Sequence, residues 1–111
     1  HAGIRFIFAH FGGATTYLET VVLLLRLPNC YADICPGWGT WVWDQRLPGL
    51  EAVPMHKLLF GTDTAGERYG ERIQHWNRML TSYGKNEAQI EDFFYHNARR
   101  LLKLEPPAAQ A

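Results

Sequence analysis

Three short apolar segments set the pattern of the chain, and each one is followed by small or polar residues. Residues 4–9 are rich in β-formers and apolar except for Arg5, residues 30–34 form a second such run, and residues 57–60 form a third. Runs of this length, bounded by glycine and polar residues, are typical of buried parallel strands. The pattern therefore predicts three parallel β-strands at these positions.

Apolar residues at helical spacing lie between the first two strands. Thr16 and Glu19 have the spacing of a capping box, which predicts that a helix begins there. The segment Leu27-Pro28-Asn29 ends this helix. Its apolar face is expected to consist of Leu18, Val21, Val22 and Leu25.

Two more helices are predicted in the C-terminal half. The first covers Glu67 to Tyr83 and ends at Gly84. Asn86 is expected to cap the second, with Gln89 at the N3 position of a capping box. The expected apolar faces are Ile73, Trp76, Met79 and Leu80 in the first helix and Ile90, Phe93, Phe94, Ala98, Leu101 and Leu102 in the second.

The predicted order of elements is strand, helix, strand, loop, strand, helix, helix. Strands that alternate with helices predict an α/β fold with a parallel sheet and right-handed crossovers. The long loop covers residues 36–54, is expected to hold one or two helical turns, and contains Trp38, Trp41 and Trp43. Loops of that length inside a compact domain are often functional. Residues 105–111 are expected to be a frayed tail.

Composition and charge narrow the classes of function. The chain has 111 residues, 47% of them hydrophobic, and its eleven basic residues balance eleven acidic ones, so nucleic acid is not an expected partner. No apolar run approaches the roughly 20 residues of a membrane span, and no signal peptide is visible. Cys30 and Cys35 would lie on opposite faces of a strand, so no disulfide is predicted. A reducing, cytoplasmic location is therefore expected.

Two chemically useful residues stand at the carboxyl ends of predicted strands, His10 after the first and Asp63 after the third. Because α/β folds place ligands and catalysts at this end of a sheet, the two side chains are expected to face one mouth. The carboxylate of Asp63 could bind a divalent metal ion or accept a proton. The pattern favours equally an N-cap role for Asp63 at the helix that begins near Glu67. For His10 the pattern alone favours a hydrogen-bonded structural role, although Gly12 and Gly13 would let a ligand approach the backbone.

Other candidate groups are expected to have structural roles. Asp33, in the middle of the second strand, is expected to bond a backbone amide rather than join the site. Cys35 and the nearby tryptophans could line the mouth, but packing is favoured. His56 precedes the third strand, at the wrong end for catalysis, and His75 and His96 are expected to be solvated or capping residues on helices. The sequence has no glycine-rich phosphate loop, Cys-x-x-Cys pair or Ser-His-Asp signature.

Four segments, in order and in rough spacing, resemble the amidohydrolase-related family. They are Phe8-Ala9-His10-Phe11-Gly12-Gly13, Pro28-Asn29-Cys30-Tyr31-Ala32-Asp33, Leu58-Leu59-Phe60-Gly61-Thr62-Asp63 and Asn97-Ala98-Arg99-Arg100-Leu101-Leu102-Lys103-Leu104. The family includes aminocarboxymuconate-semialdehyde decarboxylase-like enzymes and other metal-dependent hydrolases of the TIM-barrel type. The resemblance covers residues 4 to 104, and the Gly-Thr-Asp and Asn-Ala-x-Arg-Leu-Leu segments are its more specific parts.

The resemblance implies that the three strands are the sixth, seventh and eighth of a (β/α)8 barrel. It implies that His10 is the strand-six histidine, which contacts the metal-activated water or the substrate as an acid/base. It also implies that Asp63 is the strand-eight aspartate, a metal ligand that helps to orient or deprotonate that water. Zn²⁺ is the usual metal of the family.

The chain departs from the family pattern in two ways. Thr64-Ala65-Gly66 follows the aspartate, where the family often has Tyr-Pro or a similar pair, and this leaves the substrate side of the pocket undefined. The His-x-His of strand one and the histidine of strand five are absent. A full barrel takes about 250 residues and a catalytic zinc needs three protein ligands. Residues 1–111 are therefore expected to be the C-terminal part of a barrel domain, with an incomplete metal site and no activity alone.

The expected function is metal-dependent hydrolysis or decarboxylation of a small carboxylated or cyclic substrate. The alternative is a small non-catalytic α/β module that binds a partner or a second copy of itself, because a three-stranded sheet leaves edges and apolar faces open. The tryptophan-rich residues 38–43 would then form an interaction surface. Association with the missing barrel half is a third option.

Overall fold

The computed structural model describes residues 3–13, 15–35, 49–63 and 65–104. Its strands form one sheet in sequence order, and the middle strand pairs in parallel with both neighbours. The strands are β1 (Phe6–Phe8), β2 (Cys30–Ile34) and β3 (Leu58–Phe60). The predicted α/β fold with a parallel sheet is confirmed. β1 and β3 are shorter than the predicted runs, and 3₁₀ turns at Ala9–Gly12 and Met55–Lys57 bound the carboxyl end of β1 and the amino end of β3.

The register brings the carboxyl ends of the strands to one edge. Phe8 lies beside Ala32, and Ile34 lies beside Phe60. Since all three strands run the same way, the residues that follow them leave the sheet on the same side. Burial alternates along β2 with the period of two that a strand imposes, and Asp33 lies on its less buried face.

Helices follow β1 and β3, as the apolar spacing predicts. The described helices are α1 (Tyr17–Arg26), α2 (Tyr69–Ser82), α3 (Glu87–Glu91) and α4 (Asn97–Leu101). A π-helical turn, Asp92–His96, joins α3 to α4 in one continuous helix. In the described end of the predicted loop, Leu50–Ala52 forms a 3₁₀ turn. Residues 36–48, with the three tryptophans, and the predicted tail lie outside the described residues.

The two predicted capping boxes have different outcomes. The box of Asn86 and Gln89 is confirmed, because each side chain accepts a 2.9 Å hydrogen bond from the backbone N–H of the other residue. Thr16 is the N-cap residue of α1, but its hydroxyl donates to the carbonyl of Gly12 and does not cap the helix. The box predicted from Thr16 and Glu19 is therefore wrong. The φ and ψ of Thr16, −123° and 18°, depart from the extended backbone that an accepting cap usually adopts.

One hydrophobic core joins the sheet to the helices. Its largest fully buried side chains are Trp76, Phe11, Phe93, Leu24, Ile34, Leu58, Leu80 and Val53. Burying each such side chain contributes about 1.5–3 kcal/mol. Ile73, predicted to share the inner face of α2, is 44% exposed. It lies at the margin of that face, where it lines an open groove with Ile90 and Phe94.

The first helix, α1, is apolar on two faces. Val21 and Leu24 are buried, whereas Leu18, Val22 and Leu25 are each about half exposed. The last three are spaced i, i+4 and i+7, so they form one continuous stripe on the outside of the helix. Three of the four residues predicted for the apolar face therefore face solvent.

Polar side chains fasten the C-terminal helix to the amino ends of the strands. The amide of buried Asn97 donates to the carbonyls of Met55 and Leu58, at 2.5 and 2.8 Å. The guanidinium of Arg5, just before β1, donates to the carbonyl of Leu101 at 2.7 Å. These bonds fix the turn before β3 and tie α4 to β1. Within the described ranges, no helix has the length and apolar character that crossing a bilayer requires.

Candidate functional site

Polar and thiol side chains gather at the carboxyl edge of the sheet. His10 follows β1, Asp33 and Cys35 lie at the end of β2, and Asp63 follows β3. One ligand atom from each of His10, Asp33 and Cys35 lies within 4.8 Å of the other two, and all three residues are half-buried. Asp63 is exposed, and its charge acts on the Cys35 thiol. Parallel pairing is the cause of this arrangement, since it places three strand ends side by side.

Two hydrogen bonds fix His10. Its backbone N–H donates to Oδ1 of Asp33 at 2.9 Å, and its ring Nδ1 lies 3.3 Å from the carbonyl oxygen of Cys35. A carbonyl can only accept, so this bond assigns the proton of the neutral ring to Nδ1. Nε2 of the neutral ring then has a free lone pair, which is the atom a general base or a metal ligand uses.

Asp33 bonds a backbone amide, as predicted, and that amide belongs to His10. A carboxylate has two oxygens, so this bond leaves capacity for a further contact. The Asp33 carboxylate also accepts a hydrogen bond from the thiol of Cys35, the residue that directly follows β2. Asp33 therefore both supports His10 and belongs to the cluster.

The Cys35 thiol has an unfavourable environment for its ionised form. Burial, a hydrogen bond to Asp33 and the negative charges of Asp33 and Asp63 raise the pKa of Cys35 from 9.0 to about 12, in that order of importance. The thiol is therefore protonated near neutral pH. The negative charges of Asp33 and Asp63, which disfavour a thiolate, favour a cation near the sulfur.

Asp63 does not cap a helix. The 3₁₀ turn Gly66–Arg68, which leads into α2, has Ala65 as its N-cap residue and no side-chain cap. The alternative that treats Asp63 as a helix cap is therefore wrong. Its exposed carboxylate stands between the end of β3 and the start of the helical segment.

Strained backbone coincides with the predicted site residues. Among the described residues, the non-glycine residues with positive φ are His10 (53°), Phe11 (53°), Asp63 (46°) and Lys103 (56°). A left-handed backbone costs about 1–3 kcal/mol per residue and persists where packing enforces it. The fully buried ring of Phe11 supplies that packing beside His10. Such strain is concentrated at functional sites, and here it affects the residues at two strand ends.

Gly61 makes room for the thiol. A Cβ at this position would overlap the sulfur of Cys35, so the backbone after β3 packs directly against it. A side chain here would displace the sulfur from the neighbourhood of Asp33. The Gly-Thr-Asp segment thus contributes both a carboxylate and the space beside it.

The family of the chain follows from a comparison with known proteins. A family model described as amidohydrolase matches residues 1–104, which include every described residue and every residue of the site. The chain belongs to the amidohydrolase family. No curated protein and no solved structure gives a significant match to this amidohydrolase chain.

The donor set of this amidohydrolase chain fits the metal that its family implies. Imidazole nitrogen and carboxylate oxygen are both common zinc ligands, and here they are half-buried and mutually close. The exposed carboxylate of Asp63 adds a hard oxygen at the rim. The residues at the carboxyl edge therefore suit a divalent cation.

The remaining histidines of the amidohydrolase chain lie elsewhere. His56 is in the turn before β3, at the amino end, as predicted. His75 packs edge-to-face on Trp76, and His96 lies 3.3 Å from a carboxylate oxygen of Glu91. None of the three belongs to the metal-ligand group that the described residues form.

Proposed function

We propose that this chain is the C-terminal part of an amidohydrolase (β/α)8 barrel, with β1, β2 and β3 as its sixth, seventh and eighth strands. Consecutive parallel strands in sequence order, with α1 crossing between the first two, support this assignment. The exposed outer edge of β1 supports it as well. Phe6 and Ile7 point to opposite faces of β1, and both are more than 40% exposed, as expected where the strand lacks a neighbour and its helices.

We infer that the chain contributes to metal-assisted hydrolysis of a small carboxylated or cyclic substrate. We also infer that it belongs to the aminocarboxymuconate-semialdehyde decarboxylase-like group of the family. Decarboxylation is the alternative reaction on the same site. One observation carries this inference: His10 and Asp63 both adopt a left-handed backbone at the ends of strands that open on the same edge. Family membership supplies the class of chemistry.

Asp63 would hold the metal through a carboxylate oxygen, because it is the exposed acid at the rim of the edge. When bound, a zinc-type ion would supply Lewis acidity, which lowers the pKa of its bound water to about 7. The carboxylate of Asp63 can also orient that water by accepting a hydrogen bond from it.

His10 would move the proton. Its Nδ1–H donates to the Cys35 carbonyl, so Nε2 is the atom that accepts a proton from the attacking water and returns it to the leaving group. The bond from its backbone to Asp33 holds the imidazole at this edge. Asp33 is thus a positioning residue for the proposed reaction.

Zinc content and turnover test the proposal. The 111-residue chain is expected to be inactive, because a catalytic zinc needs three protein ligands and the proposal assigns further ligands to the rest of the barrel. In the complete barrel, His10→Ala and Asp63→Ala are expected to lower kcat/KM by at least about a hundredfold, while His75→Ala serves as a matched control. Full activity of both variants would remove these residues from the mechanism. Turnover by the isolated chain would contradict its assignment as a fragment.

We also propose, as a second candidate, that the chain acts as a binding or self-associating module. The outer stripe of α1, formed by Leu18, Val22 and Leu25, supports this candidate, together with the exposed Phe6 and Ile7 of β1. Sedimentation of the isolated chain and of a Val22→Glu variant tests it. A concentration-dependent dimer that the glutamate dissociates supports association, and a monomer at all concentrations contradicts it.

A further inference from the structure

We propose that His10, Asp33 and Cys35 form a binding site for a thiophilic divalent cation, with the Cys35 sulfur as a direct ligand. A thiol binds a metal ion as its thiolate, so the S–H proton of Cys35 passes to solvent when the sulfur–metal bond forms. The site differs from the Asp63 site of the proposed reaction, because it rests on β1 and β2 and uses a sulfur. Its existence does not depend on hydrolysis.

The first support is distance. One ligand atom from each of the three residues lies within 4.8 Å of the other two. In a tetrahedral zinc site with bonds of 2.0–2.3 Å, neighbouring ligand atoms are about 3.3–3.8 Å apart. Side-chain rotations that move the ligand atoms by about 1 Å would therefore bring the three donors onto one ion.

The second support is that the surrounding structure fixes the donors. The backbone N–H of His10 is held by Asp33, and its ring is held by the Cys35 carbonyl. The Cys35 sulfur lies against Gly61, where a side chain would displace it. A site whose donors are already oriented loses less conformational entropy when an ion binds.

The third support is the chemistry of the donors. Nitrogen, oxygen and sulfur together favour zinc, cobalt or cadmium ions over magnesium and calcium, which prefer oxygen alone. Three protein ligands leave a fourth position open. The occupant is therefore a borderline or soft divalent ion.

Binding has a consequence for His10. A ring nitrogen that ligates an ion has no lone pair for a proton. Occupation of this site would therefore remove the base of the proposed reaction and make an excess of zinc inhibitory. Only this inhibition rests on the proposed function. If zinc failed to inhibit the reaction, the proposed binding site would still stand.

Cobalt absorption tests the site directly in the full 111-residue chain. Titration with Co²⁺ is expected to produce a sulfur-to-cobalt charge-transfer band, which Zn²⁺ abolishes and excess Mg²⁺ leaves unchanged. Cys35→Ser is expected to lose the band, whereas Cys30→Ala, a change at the other end of β2, is expected to keep it. His10→Ala and Asp33→Ala are expected to weaken binding by at least about tenfold each.

Several outcomes would overturn the proposal. In wild-type chain that circular dichroism shows to be folded, either the absence of the band or its displacement by Mg²⁺ would do so. A band that survives in Cys35→Ser, or one that is lost in folded Cys30→Ala, would show that the Cys35 sulfur is not the ligand. Unchanged affinity in both the His10 and Asp33 variants would exclude these two residues as ligands. If Cys35→Ser fails to fold, alkylation of the wild-type chain decides. Protection of Cys35 from iodoacetamide by Zn²⁺ supports the site, and equal labelling with and without Zn²⁺ refutes it.

Discussion

The backbone N–H of His10 donates a 2.9 Å hydrogen bond to the carboxylate of Asp33, so β2 holds the residue that ends β1. This bond crosses between neighbouring strands at the point where the backbone of His10 turns left-handed. It offsets part of the cost of that conformation. The site is therefore built into the pairing of the strands.

Removal of the Asp33 carboxylate should destabilise the chain. Asp33→Ala leaves the His10 amide without its acceptor, and a hydrogen bond to a charged group contributes about 1.5–3 kcal/mol. Asp33→Asn retains an accepting oxygen and should lose less than half of that. Urea unfolding of the two variants measures the difference. Equal losses would mean that the charge of Asp33, and not its hydrogen bond, stabilises the turn.

Alkylation of Cys35 should be slow and should accelerate with pH. A pKa of about 12 makes its thiolate about a thousandfold scarcer near neutral pH than that of a thiol with a pKa of 9.0. In a Cys30→Ala background, the iodoacetamide rate should still rise above pH 10. Asp33→Asn removes a negative charge that raises this pKa, so it should speed labelling at a given pH. An unchanged rate would exclude Asp33 as a cause.

The same titration should make folding stability fall in alkali. The folded chain holds the Cys35 proton more tightly than the unfolded chain, whose thiol titrates near 9.0. The contribution is complete below pH 9 and is lost as pH rises towards 12. Urea midpoints over this range should fall less in Cys35→Ser than in the wild type, and parallel curves would contradict the assignment.

A side chain at residue 61 should conflict with the Cys35 sulfur. Gly61→Ala places a methyl group where the sulfur lies, and overpacking of this kind costs about 1–3 kcal/mol. The double variant Gly61→Ala, Cys35→Ala should be less destabilised than the sum of the single changes, because alanine removes the sulfur. Additive losses would show that the two residues are not in contact.

Asn97 should matter for stability and not for chemistry. Its buried side-chain amide donates hydrogen bonds to the carbonyls of Met55 and Leu58. Asn97→Ala leaves both carbonyls without this donor, which should lower the free energy of unfolding by about 1–3 kcal/mol. Asn77→Ala, an exposed change on α2, is the matched control and should lie within about 0.5 kcal/mol of the wild type. Thermal or urea unfolding checks both, and an Asn97→Ala variant as stable as the control would contradict the structural role.

Local chemistry explains which elements could be predicted. The strand runs, the helix after each outer strand and the Asn86 capping box depend on neighbouring residues, and the structure confirms them. The Thr16 box failed because the hydroxyl of Thr16 is directed to the carbonyl of Gly12 in the preceding turn and not to the first amides of the helix. The outer stripe of α1 could not be distinguished from a buried one, because apolar residues occupy both faces of that helix.

The candidate site was predictable only in part. Position after a strand indicated His10 and Asp63, but it could not show which acids would approach them. Cys35 was expected to pack, and its place beside His10 depends on pairing between β1 and β2. The spacing of Asp33 and Cys35, which are two residues apart at the end of the second strand, was the available signal for a shared face.

The bond between Arg5 and Leu101 joins residues 96 positions apart in the chain. Together with the bonds of Asn97, it forms a clasp that holds the C-terminal helix to the amino edge of the sheet. The side chains of the candidate site lie at the opposite edge. Changes in the loops of the opposite edge leave this clasp untouched. The architecture therefore separates the residues that hold the C-terminal helix to the sheet from the residues of the candidate site. Substitutions at the candidate site can change its chemistry without loss of these stabilising bonds.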